Sequence, residues 1–145
     1  MAHDSASDLV ERLRACLLAR SEVLDAYLFG SQARGDAARH SDLDIAVYLD
    51  EAISRSYAFG YSADLATDLM RCVSRNDVDV VVLNQAPPLL YQRVLRDGVR
   101  ILSRDLAATT VREGRALSRY CDYLPQLRKI EAQHAARIER GSFGR

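Results

Sequence analysis

Long apolar runs, paired cysteines, clustered histidines, internal repeats and low-complexity tracts are all missing from this chain of 145 residues. Its longest strongly apolar stretches, such as Val78–Leu83, fall far short of the roughly 20 residues that a bilayer-spanning helix needs, so a soluble protein is expected. Met1 to Asp8 is polar and holds two aspartates, where a secretory leader has a basic start and an apolar segment. A cytoplasmic location is therefore expected. Cys16, Cys72 and Cys121 are odd in number, widely spaced and free of any C-x-x-C pairing, which argues against a disulfide framework and a zinc site and reads as reduced thiols. His3, His40 and His134 are scattered and read as solvated side chains.

What is present is an ordinary globular composition, 48% hydrophobic and 28% charged, in a chain of one-domain length. A domain of this size buries roughly 70% of the surface its unfolded chain exposes, enough for a real core. The formal net charge is zero but unevenly placed. Residues 1–105 carry 12 Arg against 16 Asp or Glu, a net of −4, and residues 106–145 carry 8 Lys or Arg against 4 Asp or Glu, a net of +4. The acidic body argues against direct nucleic-acid binding, while the basic tail suits either a solvated helix face or an acidic protein surface.

Hydrophobic periodicity orders the elements. Leu9, Val10, Leu13, Cys16 and Leu17 mark a helix over 8–19 with Ser7 or Asp8 at its start, and Val23–Phe29 reads as a strand stopped by Gly30. Ser31–His40 is small and polar and contains Gly35, a turn and loop. Leu43–Leu49 is a second strand, with Leu43, Ile45, Val47 and Leu49 on a core face and Asp42, Asp44, Ala46 and Tyr48 on the other. A helix over 62–73 leads to Val78–Leu83, whose nearly continuous apolar character predicts a central strand. Pro87 and Pro88 open a helix that Gly98 ends, Val99–Leu102 forms a short edge strand, and a long helical pattern over 106–138 is expected to break at Pro125. The order α-β-β-α-β-α-β-α predicts an α/β (α+β type) fold: a mixed sheet of about four strands covered by helices, with a core over 1–105 and a helical extension over 106–145 in a single domain.

Three features carry chemistry. Asp42 and Asp44, at i and i+2 of a strand, project to one face with roots roughly 6–7 Å apart, and a divalent cation relieves their repulsion. Gly30-Ser31 follows a strand and precedes a helix start, where backbone amides and a hydroxyl hold phosphate oxygens. Asp79 interrupts an otherwise apolar strand, where a buried carboxylate needs a partner such as a metal, whereas Asp77 at the strand start reads as a turn residue. Tyr57, Phe59 and Tyr61 around Gly60 read as packing residues.

Gly30-Ser31, the ten-residue gap, Ser41-Asp42-Leu43-Asp44-Ile45-Ala46-Val47 and Val78-Asp79-Val80-Val81 together resemble the minimal nucleotidyltransferases of the DNA polymerase β superfamily, in particular the antitoxins paired with HEPN toxins. The segment from Pro87 to Leu102 is similar to that family's closing helix and strand. The resemblance implies a polymerase-β-like nucleotidyltransferase fold, with ATP as substrate, two Mg²⁺ ions on Asp42 and Asp44, and Asp79 completing the site and helping to deprotonate the acceptor hydroxyl. It implies Gly30 and Ser31 on the β and γ phosphates, with Arg34 as an added cation, and AMP transfer to a tyrosine of a cognate HEPN toxin. Two alternatives stay open at this point: an antitoxin that acts by contact alone through Tyr120, Tyr123, Leu124, Leu127 and Ile130, and transfer to RNA or a small-molecule hydroxyl.

Overall fold

A computed structural model describes residues 6–30, 42–56 and 60–140. Strands β1 (Val23–Phe29), β2 (Leu43–Leu49), β3 (Val78–Val82) and β4 (Val99–Ser103) form one sheet in the order β3-β2-β1-β4. β1 runs antiparallel to both β2 and β4, and β2 and β3 are parallel, which makes the sheet mixed as its element order predicts. Helices α1 (Ala6–Leu18) and α3 (Tyr61–Val73) cover one face, where Leu13, Leu17, Leu65 and Leu69 pack on Leu43, Ile45 and Val47. Helices α4 (Pro88–Asp97) and α5 (Leu106–Glu139) cover the other, around Tyr27, Ala46, Tyr91, Val94 and Ala116. Both faces of β2 are thus core, and among the described residues its exposed end is the one that begins at Asp42.

Local chemistry explains where the elements stop. Arg104 donates to the carbonyls of Leu17, Leu18 and Arg20 at 3.1, 3.1 and 2.8 Å, placing a cation on the orphan acceptors at the end of α1. Pro88 begins α4, where a missing amide hydrogen costs nothing. Gly98 follows α4 in an extended conformation, and a Cβ there would stand 3.1 Å from the Leu28 carbonyl and 3.3 Å from Phe29 Cβ, so glycine lets β4 close onto β1. Asp105 caps α5 by accepting from the amides of Ala107 and Ala108 at 3.1 and 3.4 Å.

One buried carboxylate seats α5. Asp25 of β1 is fully buried and accepts from Thr109 Oγ1 at 2.5 Å and from Arg112 Nε and Nη2 at 2.7 and 2.9 Å. Glu113, one residue on, takes the Tyr27 hydroxyl at 2.7 Å and Arg100 at 2.8 Å. Tyr120, Tyr123, Leu124 and Leu127 continue as a half-buried stripe, while Ile130 is 56% exposed, so the stripe fades where α5 leaves the body.

The structure corrects four expectations. β3 is an edge strand, its apolar run reflecting α3 packed over one face, and Asp79 lies exposed there. Helix α2 (Glu51–Ser56) adds an element after β2 that six mostly polar residues did not announce. α5 runs unbroken through Pro125, because that residue faces water and the Cys121 carbonyl it deprives of a partner is also on an exposed residue. Cys16 and Cys72 are joined as a disulfide between α1 and α3, their Cα atoms 6.4 Å apart, while Cys121 is free and exposed. Packing of the two helices side by side creates a pairing that spacing in the chain cannot reveal.

Two outcomes are expected in thermal and chemical unfolding. Arg112→Leu strands the Asp25 charge and lowers stability by about 3 kcal/mol. Because the disulfide closes a loop with sequence separation 56, Cys72→Ser or full reduction lowers Tm by about 5–10 °C, and reductant then has no further effect on the variant.

Candidate active site

The open end of the sheet gathers the carboxylates by register. Phe29, the last residue of β1, lies opposite Asp44 of β2, and Asp44 lies opposite Asp79 of β3. Parallel partners project to the same face from strands about 4.8 Å apart, and Asp42 shares that face one pleat before Asp44. Gly30 completes the corner. Its φ of 78° suits glycine, and a Cβ would run into the Asp44 carboxylate, with Cγ at 3.3 Å. The backbone therefore passes directly against Asp44, and no other residue fits there without moving it.

Electrostatics mark the same place. Asp44 is half-buried between the exposed Asp42 and Asp79. Burial first, then the charges of Asp79 and Asp42, hold its carboxyl above the usual range. Asp44 thus lies in the field of two further carboxylates, a repulsion that a bound cation would relieve. Mg²⁺ uses one or two carboxylates together with substrate phosphate oxygens and water, not an all-protein cage. Among the described residues no three His, Cys, Asp or Glu side chains are grouped so as to hold a metal ion by themselves.

Register and close approach bring Gly30, Asp44 and Asp79 together, and Asp42 lies in the field of Asp44. Ser31 and Arg34 lie outside the described residues, as do Tyr57 and Phe59. Asp77 does take the turn role: it receives Arg75 Nε and Nη2 at 2.8 and 2.6 Å, and its carbonyl accepts from the Leu43 amide at 2.7 Å, fixing the residue between Asp42 and Asp44. Arg75, which sequence reasoning passed over, stands in the field of Asp42 as well as Asp77. Its only signal is the Arg75-Asn76-Asp77 spacing ahead of the strand.

Residues 11–107 match the family described as polymerase beta, nucleotidyltransferase. The chain belongs to that family. A curated relative, the protein adenylyltransferase MntA of Shewanella oneidensis, is 35% identical over 75 residues, which make up 52% of this chain and 50% of that protein. The aligned stretch thus spans about half the length of the relative. Among solved structures, a minimal nucleotidyltransferase is similar at 28% identity and a TM-score of 0.52, with 68% of this chain and 98% of that one covered. The complex of tri-AMPylated Shewanella oneidensis HEPN toxin with MNT antitoxin holds a chain similar at a TM-score of 0.70 and 20% identity, covering 90% of this chain and 99% of its own length. That last likeness shows the fold.

The burial of Asp44, and after it the charges of Asp79 and Asp42, has a thermodynamic cost whose sign follows from the raised Asp44 pKa. The folded state holds the Asp44 proton more tightly than the unfolded chain, whose ordinary value is 3.8, so the cost of ionisation is absent well below that pH and builds as pH rises through the folded pKa. In metal-free buffer, Asp44→Asn is expected to raise Tm by about 2 °C at neutral pH and to leave it unchanged near pH 3, as scanning calorimetry across pH will read.

Proposed function

We propose that this chain is an adenylyltransferase that moves AMP from ATP to a tyrosine hydroxyl of a HEPN-family toxin and thereby serves as its antitoxin. The observation that carries this reading is the Asp44–Asp79 register with Gly30 packed on Asp44, because it sets a phosphate-approachable turn beside two carboxylates on adjacent strands. Membership of the nucleotidyltransferase family and the aligned stretch of an adenylyltransferase support it.

In this reading Gly30 and Ser31 take the β and γ phosphates, and Arg34 adds a cation to them. Asp42, Asp44 and Asp79 would hold Mg²⁺, which when bound neutralises the triphosphate and the charge that develops on its oxygens. Asp79, exposed at the sheet edge, faces the acceptor side and accepts the hydroxyl proton. The acceptor oxygen bonds to the α-phosphorus, the bond from that phosphorus to the bridging oxygen breaks, and pyrophosphate departs. Arg75 and Asp77 position the strand that bears Asp42 and Asp44. No described helix is long and apolar enough to cross a membrane.

A second reading, neutralisation by contact alone, is favoured by Ile130 and Ile138 on α5, 56% and 47% exposed. Incubation with α-labelled ATP, Mg²⁺ and the purified HEPN-family protein of the neighbouring gene separates the two. The expected result is label on the partner, reduced about 100-fold or more by Asp42→Ala with Asp44→Ala. Absent or equal transfer, with neutralisation intact, would establish the contact reading instead.

A further inference from the structure

On the sheet face that carries the three carboxylates, α4, β4 and α5 leave an open cleft of about 310 Å³. Tyr27 of β1 lies at its base, Leu95 and Arg96 line it from α4, Leu117 from α5 and Arg100 from β4. Its place relative to the site follows from register. Gly98, which also lines the cleft, abuts Leu28 and Phe29; Val99 lies opposite Leu28, and Phe29 lies opposite Asp44. Two strand spacings put the β4 wall about 10 Å from Asp44 across the sheet.

The lining is apolar at its ends and cationic at its rim. Leu95 is half-buried there, and Leu117 leaves 45% of its surface in water. The one carboxylate that lines the cleft, Glu113, is taken up by Tyr27 and Arg100 at 2.7 and 2.8 Å. Arg96, with its side chain 59% exposed, holds Asp97 at 2.9 Å, yet a guanidinium has five N–H donors in a fork and one carboxylate does not exhaust them. In the lining Arg96 and Arg100 stand against Glu113 alone, within a body whose net charge is otherwise negative. A cleft of this volume suits one or two side chains of a polypeptide.

A hydroxyl held by a macromolecule reaches the carboxylates only if the surface next to them is occupied by that macromolecule. We propose that this cleft docks an acidic segment of the acceptor protein through an apolar anchor side chain, and so selects which hydroxyl is presented to Asp79. The proposal rests on the adenylyltransferase reading above. Charge complementarity identifies the occupant as a segment with carboxylates flanking the anchor, which excludes a basic nucleic-acid-binding surface as partner.

The probe is the purified HEPN-family protein of the neighbouring gene, titrated into the full chain by calorimetry and used as acceptor with labelled ATP. Arg96→Glu and Leu117→Asp change exposed residues, so Tm is expected to hold. Each is expected to weaken partner binding and raise KM for the acceptor about tenfold or more, with AMP-PNP binding within about twofold of the parent chain and Arg96→Lys close to the parent. Wild-type KM and affinity in both variants would overturn the cleft and leave adenylyl transfer standing. Equal loss of AMP-PNP binding would also overturn it, by locating the damage in the nucleotide site. If the parent chain binds the partner without modifying it and the variants lose that binding, the cleft stands and adenylyl transfer falls.

Discussion

A single buried carboxylate organises one whole face of this molecule. Asp25 sits in the middle of the sheet with no access to water, and such a charge is tolerable only when it is paired and hydrogen-bonded. Thr109 and Arg112 meet that need from one turn of α5, which fixes both the position and the rotation of the helix. Rotation then places Glu113 over Tyr27 and Arg100, Ala116 in the second core and Leu117 at the cleft. Arg112 also lies 5.1 Å from the centre of the Tyr48 ring, so the same side chain reaches across to β2.

Charge is treated in the opposite way at the end of the sheet, where the proposed chemistry lies. Asp25 has a guanidinium on it, while Asp44 has other carboxylates near it and glycine backbone against it. A buried carboxylate satisfied by its own protein is held in place, whereas one left facing like charges is relieved by any cation that binds beside it. α5 links the two regions. Its contacts run from Asp25 to Tyr27 to the cleft beside Gly98, in the same direction as β1 runs toward Gly30, so the helix advances toward the end that bears Asp44.

Much of the fold was legible because local pattern and burial agree. Strand alternation in Leu43–Leu49, the Pro87-Pro88 start of α4 and the helical stripe of α3 each follow from neighbours a few residues apart. Asp79 was found for a reason that the structure replaces: burial was the argument, yet the residue lies exposed at an edge and its value to the site comes from pairing with Asp44. An apolar run does not reveal whether a strand has one neighbour or two, since α3 alone accounts for the apolar side of β3. The Cys16–Cys72 bond and the unbroken α5 were illegible for a related cause, because one depends on helices meeting in space and the other on which way Pro125 faces.

The amino-acid order by itself determined the elements, the glycine turn after β1 and the alternation that puts Asp42 and Asp44 on one face, all of which are set by backbone geometry within a few residues. It likewise determined membership of a nucleotidyltransferase family, matched over residues 11–107. Only the tertiary structure decided that Asp79 stands opposite Asp44, that Gly30 closes on its carboxylate and that a cationic cleft opens about two strands away. Each of these joins segments separated by whole helices, and their register depends on how two hydrophobic faces pack, a property of the assembled layers and of no single stretch of chain.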